Sequence, residues 1–522
     1  MNAVAPPILT RRSLGGSSLP ERSVSRRRRL ATEVAIKTFF GSNALVAIVV
    51  LALITIFLFR EGIGFFGQNL ANLRIYRRAG LEYVDIMRAQ AQQHAALSRQ
   101  LGEIRLREVS ANPQSPSLAQ FDQFAGSFSD TGEFLNALVS DANDQAVALR
   151  ESLIAAGVPA AVSSAEEQSA APTLADSRQA LLALRSADEK FPKIAEAMKE
   201  KIDGLIAGAP QLTSAKAQRA LEKWESETRE YLNQLPVAAQ KMRAWDPNEP
   251  VPAYRSVTSF LFGRDWITAS FWQDWYGILP LLVGSIMVAA VALVIAVPLG
   301  VCSAIYVSEV AGRREKSLIK PYIEFISAIP SVVLGFFGIA VIGQAVRALS
   351  QMPFMKWVPF FPISERLNVF TAGSLLALMA IPTIFTLSED ALRNVPRGFK
   401  EASYALGANR IQTIARVLIP ASLSGIISAV LLGLGRVIGE TMVVLLCAGN
   451  RIAIPDFTQG LGAFFQPVHT MTGIIAQEMG EVVRGSIHYR ALFMVGLVLF
   501  AMTLAINYLA QRLVARYRMS IG

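Results

Sequence analysis

The chain has 522 residues, 52% of them hydrophobic and 17% charged, with a formal net charge of +10. That composition points to a membrane, yet a mean hydropathy of +0.38 is too polar for a protein made only of spans, so a transmembrane body plus a water-soluble piece is expected. The basic residues collect at the ends of apolar runs: Arg11, Arg12, Arg22, Arg26 to Arg29 and Lys37 before the first, and Arg313, Arg314, Lys316 and Lys320 after the second. Such placement sets membrane topology and argues against nucleic-acid binding.

In chain order, residues 1–38 form a basic segment expected in the cytoplasm, and residues 39–59 a first span. This run is too long and too far from Met1 for a cleaved signal peptide, and no A-x-A-like site follows it, so it predicts a retained signal-anchor. Further apolar runs lie near 279–307, 322–345, 367–388, 417–447 and 490–511. Six crossings put 308–321, 389–416 and 512–522 in the cytoplasm with the N-terminus, and those segments carry most of the remaining span-flanking Lys and Arg.

Residues 60–277 lie between the first and second spans, hence outside the cytoplasm, and read as helix. A first amphipathic piece is marked by Leu70, Leu73, Tyr76, Leu81, Val84, Met87, Ala91, Ala95, Leu101 and Ile104. Breakers follow at Asn112-Pro113 and Pro116. Further pieces run from Glu133 to Ala156, from Leu174 to Ile206 and from Ala215 to Met242, with a Ser/Ala/Pro-rich stretch from Val158 to Pro172. Four such helices can bury a common stripe as an antiparallel bundle. Ala-rich stripes favour close packing over cavities, and no catalytic constellation is present, so a docking or structural module is expected ahead of a small-molecule sensor. Trp266, Phe271, Trp272, Trp275 and Tyr276 then read as an interfacial aromatic belt.

The stretch between the fourth and fifth spans is distinctive. Glu401, Ala402 and Ser403 are followed by Gly407 and then by Val417-Leu418-Ile419-Pro420. Pro396 suits a first helical turn, Gly407 permits a reversal, and Pro420 is tolerable near the start of a span. This spacing resembles the cytoplasmic coupling loop of ABC importer permeases, with Ser403 where that family usually has Ala. The body from residue 278 onward resembles the phosphate-importer permease of that class, its PstC-like subunit. Pro321 to Gly338 looks like the family's third-span signature and Gly435-Arg436-Val437-Ile438-Gly439-Glu440-Thr441-Met442 like its fifth. The resemblance implies an all-α membrane protein of type I ABC importer architecture. It does not extend to residues 60–277, an enlarged insertion.

Arg436 and Glu440 fall inside an apolar run, where a charge costs roughly 2.5–3.5 kcal/mol on the insertion scale. At i and i+4 they share a helix face, so mutual neutralisation is one reading, although the acid-first order is the more favourable one and here the base comes first. The other reading uses their chemistry. A guanidinium fork matches a tetrahedral oxyanion, and a carboxylate can accept from a P–OH group that sulfate lacks. With Thr441, they are the expected substrate-pathway residues. Gly435-x-x-x-Gly439 predicts a close helix contact with a partner permease. Glu324 and the Glu389-Asp390 pair lie near span ends, where solvated or interfacial roles are expected.

Cys302 and Cys447 sit in separate apolar runs and His94, His469 and His488 are scattered, so neither metal nor other cofactor is expected. No GxxxxGK[ST] occurs, so the chain is not expected to hydrolyse ATP. Glu401, Ala402, Ser403 and Gly407 are the expected contact with a separate ATPase. The resemblance adds a dimeric PstB-like ATPase, a PstA-like second permease and an extracytoplasmic phosphate-binding protein, in a bacterial inner membrane. Two alternatives remain: a permease for sulfate, molybdate or phosphonate, and a membrane sensory receptor, which would need a longer cytoplasmic output domain.

Overall fold

The computed structural model describes residues 21–112, 116–155, 174–268, 270, 273–355, 357–358, 360–363 and 365–517. Arg11, Arg12, Pro113, the stretch 158–172, Phe271 and Trp272 lie outside the described residues. The chain divides into two compact units, Met1–Arg60 and Glu61–Gly522. Helix α1, Glu21–Arg78, supplies all that is described of the first. From Glu33 it carries a window of mean hydropathy 2.6 with no buried side chains, and Ser42, Asn43 and Thr55 return their polar hydrogens to backbone carbonyls of the same helix. That is the pattern of a membrane span. Five further helical segments qualify by length and hydropathy: Leu279–Val310, Ser331–Gln351, Val369–Arg393, Arg410–Gly439 and Ile487–Ala515.

The insertion folds as a helical bundle: α2 Leu81–Ala111, α3 Ser117–Asp130, α4 Glu133–Ala155, α5 Leu174–Arg185, α6 Ala187–Ala207 and α7 Ala215–Ala244. The stripe from Leu70 to Ile104 is two helices, not one. Gly80, at φ +76°, turns the chain between α1 and α2, and a Cβ there would stand 2.2 Å from Leu184. Helix α3 lies between breakers and is too short for its period to register. It nevertheless brings Phe121, Phe124 and Phe128 into the core, with Phe124 and Phe128 edge-on to Trp224 at ring-centroid distances of 5.5 and 4.9 Å. The bundle is therefore held by aromatic packing as well as by alanine stripes. Trp224 Nε1 donates to Leu97 O at 3.0 Å, and the fully buried Glu108 accepts from the Thr213 and Ser214 amides at 3.1 and 2.9 Å, closing the start of α7.

Helix α8, Ala253–Leu261, and a two-stranded hairpin, β1 Trp266–Ile267 with β2 Trp275–Tyr276, lead into the second span. The described aromatics here are not a lipid-facing belt. Trp266 and Tyr276 are buried against Phe65 and Phe260, Trp275 sits edge-on to Tyr76, and Trp266 Nε1 donates to Glu478 at 3.1 Å. Hairpin pairing turned these rings inward.

The membrane body comprises α9 Leu279–Ile305, α10 Arg313–Ile326, α11 Ser331–Phe337, α12 Gly343–Gln351, α13 Val369–Arg393, α14 Arg397–Ala405, α15 Arg410–Thr413, α16 Ile419–Gly439, α17 Met442–Cys447, α18 Met471–Glu478 and α19 Ile487–Tyr517. Single π turns extend α9, join α11 to α12 and join α15 to α16. Helices α9, α13 and α16 share one core. Their close approach needs glycine: a Cβ at Gly373 would stand 2.6 Å from Val291, and at Gly433 2.8 Å from Ile384. Two expected spans are cut. The run 322–345 is divided at Pro330, which caps α11 and cannot donate to a continuous ladder. The run 417–447 is divided at Glu440. A third difference is Glu389, which is fully buried instead of solvated, with Lys320 Nζ at 2.9 Å and Arg393 Nη2 at 3.0 Å.

Candidate functional site

At one end of the spans, Pro396 caps α14 with β-type backbone, and the helix presents Glu401 and Ala402 to solvent. Gly407, at φ +82° with open space where a Cβ would lie, makes the left-handed reversal that glycine tolerates. Asn409 then starts α15 by a reciprocal capping box with Gln412. Ser403 points inward: its Oγ lies 2.9 Å from Thr413 Oγ1, and both residues are buried. The loop is fastened to the π turn after α9, where Lys400 Nζ lies 2.6 Å from Glu309 Oε1 and Arg410 donates to the Glu309 carbonyl. Beside the exposed Glu401, the outer face carries large apolar side chains. Leu406 is 89% and Ile411 77% exposed, and Leu406 lines a hollow of about 500 Å³ with Phe399, Arg416 and Val417. The loop thus combines a polar anchor to the π turn with exposed apolar side chains.

The second part of the site is the break in the fifth span. Helix α16 ends at Gly439. Glu440 leaves it with ψ 134°, and Thr441 starts α17. The Glu440 carboxylate turns to this new helix start, Oε1 accepting from the Met442 amide at 3.2 Å, while Thr472 Oγ1 donates to the Glu440 carbonyl at 2.9 Å. A carboxylate on a helix N-terminus is satisfied by amide and dipole together. Arg436 stays on α16, exposed, and donates from Nη1 to Thr383 Oγ1 of α13 at 3.2 Å. Among the described residues no ion pair joins Arg436 to Glu440. The i, i+4 geometry that would support mutual neutralisation is lost, because Glu440 is no longer helical.

Among the described residues, a Cβ at Gly435 or Gly439 would meet nothing beyond its own stretch of helix within 4 Å, whereas Gly425 and Gly433 carry the packing within the chain. The open glycines, Arg436 and the break thus form an uncovered face, with a buried polar network behind it. Thr470 Oγ1 caps α18 at Gly473, and His469 links Nε2 to Gln477 at 2.9 Å. Thr383 and Thr472 carried no sequence signal, since a single threonine in an apolar run is ordinary. Only the tertiary packing joins them to Arg436 and Glu440.

Six hydrophobic helical segments among the described residues, a break beside Arg436 and Glu440, and an exposed loop between the fourth and fifth spans define a membrane permease subunit. Residues 296–519 match the family described as binding-protein-dependent transport system inner membrane component. A probable ABC transporter permease protein YqgH of Bacillus subtilis is 37% identical over 45% of this chain and 72% of its own length. The phosphate transport system permease protein PstC of Haemophilus influenzae is 31% identical over 50% of this chain and 84% of its own. Among solved structures, an inward-facing MetNI methionine ABC transporter is similar at TM-score 0.33 and 20% identity, over 47% of this chain and 95% of that one. The chain belongs to the binding-protein-dependent inner-membrane permease family. It is thus the membrane subunit of an ABC transporter, which works with an ATPase and a substrate-binding protein.

Proposed function

We propose that this chain is the permease through which an ATP-driven importer carries inorganic phosphate across a bacterial inner membrane. The path forms between it and a second, PstA-like permease, a dimeric PstB-like ATPase docks on the loop at 389–416, and a phosphate-binding protein delivers from the other side. Both termini are then cytoplasmic and the insertion at 60–277 is periplasmic, between a first span near 39–59 and a five-span core from 278. Relatives named as phosphate permeases support the substrate.

The observation that carries the reading is the exposed Arg436 guanidinium, held by Thr383 and unpaired with Glu440. It presents a fork to a tetrahedral oxyanion. Glu440 uses one oxygen on the Met442 amide and keeps the other for a protonated phosphate oxygen, with Thr441 at the same break. Gly435 and Gly439 face the second permease. Glu401, Ala402 and Gly407 transmit ATPase closure, and Ser403 stiffens the loop from inside.

The test is radiolabelled phosphate uptake by a variant with Arg436→Gln and Glu440→Leu, alongside copurification of the partner subunits. An assembled but inactive variant is expected, and Arg436→Lys is expected to fail too, since an ammonium lacks the planar fork. Wild-type uptake by the double variant would reduce the two residues to structural roles. Uptake of sulfate, molybdate or phosphonate in place of phosphate would reassign the substrate.

A further inference from the structure

Several hydroxyls in the spans of this protein share one habit, which Thr383 does not follow. Ser285, Ser374, Ser422, Ser428 and Thr503 each donate to the carbonyl four residues back, at 2.7–2.9 Å. This is the ordinary way for a hydroxyl to satisfy itself in a membrane helix. Thr383, in the middle of α13 and directly after Pro382, makes no such bond among the described residues. Its Oγ1 instead accepts from Arg436 Nη1 at 3.2 Å. A hydroxyl that accepts from a guanidinium retains its own hydrogen as a donor. That hydrogen has no acceptor among the described residues, and the side chain is half-buried beside the exposed Arg436.

We propose that Thr383 is a further ligand of the transported oxyanion: it fixes the Arg436 fork and donates its own O–H to the same anion. The inference rests on the reading of Arg436 as a pathway residue. The chemistry assigns Thr383 a distinct role from Glu440. An O–H donor serves any oxyanion oxygen, protonated or not, so Thr383 sets affinity. A carboxylate acceptor requires a proton on the anion, so Glu440 sets selectivity. Neither the family match nor the sequence motifs point to α13 for this role. The contact across from α16 does.

The experiment measures phosphate uptake against concentration, with sulfate as competitor, in the assembled transporter carrying Thr383→Val, Thr383→Ser or Arg436→Lys. Thr383→Val keeps the shape and removes the hydroxyl. It is expected to raise the half-saturating phosphate concentration about tenfold or more, as for a lost hydrogen bond to a charged group, with a smaller change in maximal rate and unchanged discrimination against sulfate. Thr383→Ser is expected within about twofold of wild type, because the donor is retained. If Thr383→Val fails to copurify with its partners, Thr383→Ala takes its place with the same expectation. Wild-type half-saturation in the hydroxyl-free variant overturns the inference, as does an equal defect in Thr383→Ser, which would mark the fit of the whole side chain and not its hydroxyl. If Arg436→Lys transports normally, the pathway reading itself falls. If Arg436→Lys fails while Thr383→Val is normal, only the role of Thr383 does.

Discussion

Ser403 Oγ and Thr413 Oγ1 lie 2.9 Å apart, buried beneath the exposed Glu401, Ala402 and Leu406. This hydroxyl pair, with the ion pair between Lys400 and Glu309, holds the two short helices of the loop as one rigid piece. A rigid loop is what a lever requires. Ser403→Val leaves Thr413 without its partner, a cost of about 1–3 kcal/mol, and is expected to lower uptake without preventing membrane insertion. Glu401→Arg, on the exposed face, is expected to abolish uptake while leaving the subunit inserted. Gly407→Pro is expected to do the same, since proline cannot reach φ +82°. Normal uptake by Glu401→Arg and Gly407→Pro removes the docking role.

The insertion closes its own core, from Tyr76 to Met242. Residues 68–245 expressed alone are expected to be soluble, helical by circular dichroism and cooperative in melting. Trp224→Ala is expected to destabilise that fragment by about 3–5 kcal/mol, because it removes a buried indole that packs edge-on against Phe124 and Phe128. A non-cooperative melt of the unmutated fragment would show that the bundle needs the membrane body to fold.

His94 gives the bundle an acid-sensitive point. Its ring is stacked on Phe128, Nε2 lies 3.0 Å from Thr131 Oγ1, and burial holds it below the usual histidine value of 6.5. With the folded value lowered, the unfolded chain binds the proton first. Stability is full above 6.5 and is lost as pH falls toward the lowered folded value. Asp85, whose carboxyl burial pushes up to about 6, acts in the opposite sense over the same range. The informative quantity is therefore the melting-temperature difference between wild type and His94→Gln. The histidine's relative contribution is expected to shrink from pH 7.5 to pH 5, and a constant difference would show that His94 does not titrate.

Glu389 predicts an asymmetry. The carboxylate is fully buried, while Lys320 and Arg393 are partly exposed. Removing the acid leaves two cations that water can reach. Removing Lys320 leaves a buried carboxylate with one partner. Lys320→Met is thus expected to cost about 3 kcal/mol and Glu389→Gln about 1 kcal/mol, read as thermal stability of the purified transporter in detergent. The reverse order would place Glu389 in a wetter site than its burial indicates.

Glu440→Gln is expected to transport phosphate with weakened discrimination against sulfate. An amide can donate to an unprotonated oxyanion, where a carboxylate repels it. The measurement is sulfate competition against labelled phosphate, and unchanged competition would assign Glu440 to capping α17 alone.

Hydropathy and charge placement determined the number of spans and the loop between the fourth and fifth, because lipid permits few alternatives to a long apolar helix flanked by basic residues. The loop motif was equally visible, since Pro396, Gly407 and Pro420 each impose local backbone geometry. Periodicity also announced most of the bundle, but it ran through Gly80 and missed α3, because helix period alone does not mark where a turn is tight. What only the tertiary structure decided is the state of the charges. The break at Glu440 separated it from Arg436, packing of α13 on α16 brought Thr383 to the guanidinium, and the approach of Lys320 allowed Glu389 to be buried. Each depends on contacts between residues far apart in the chain, which local pattern does not encode.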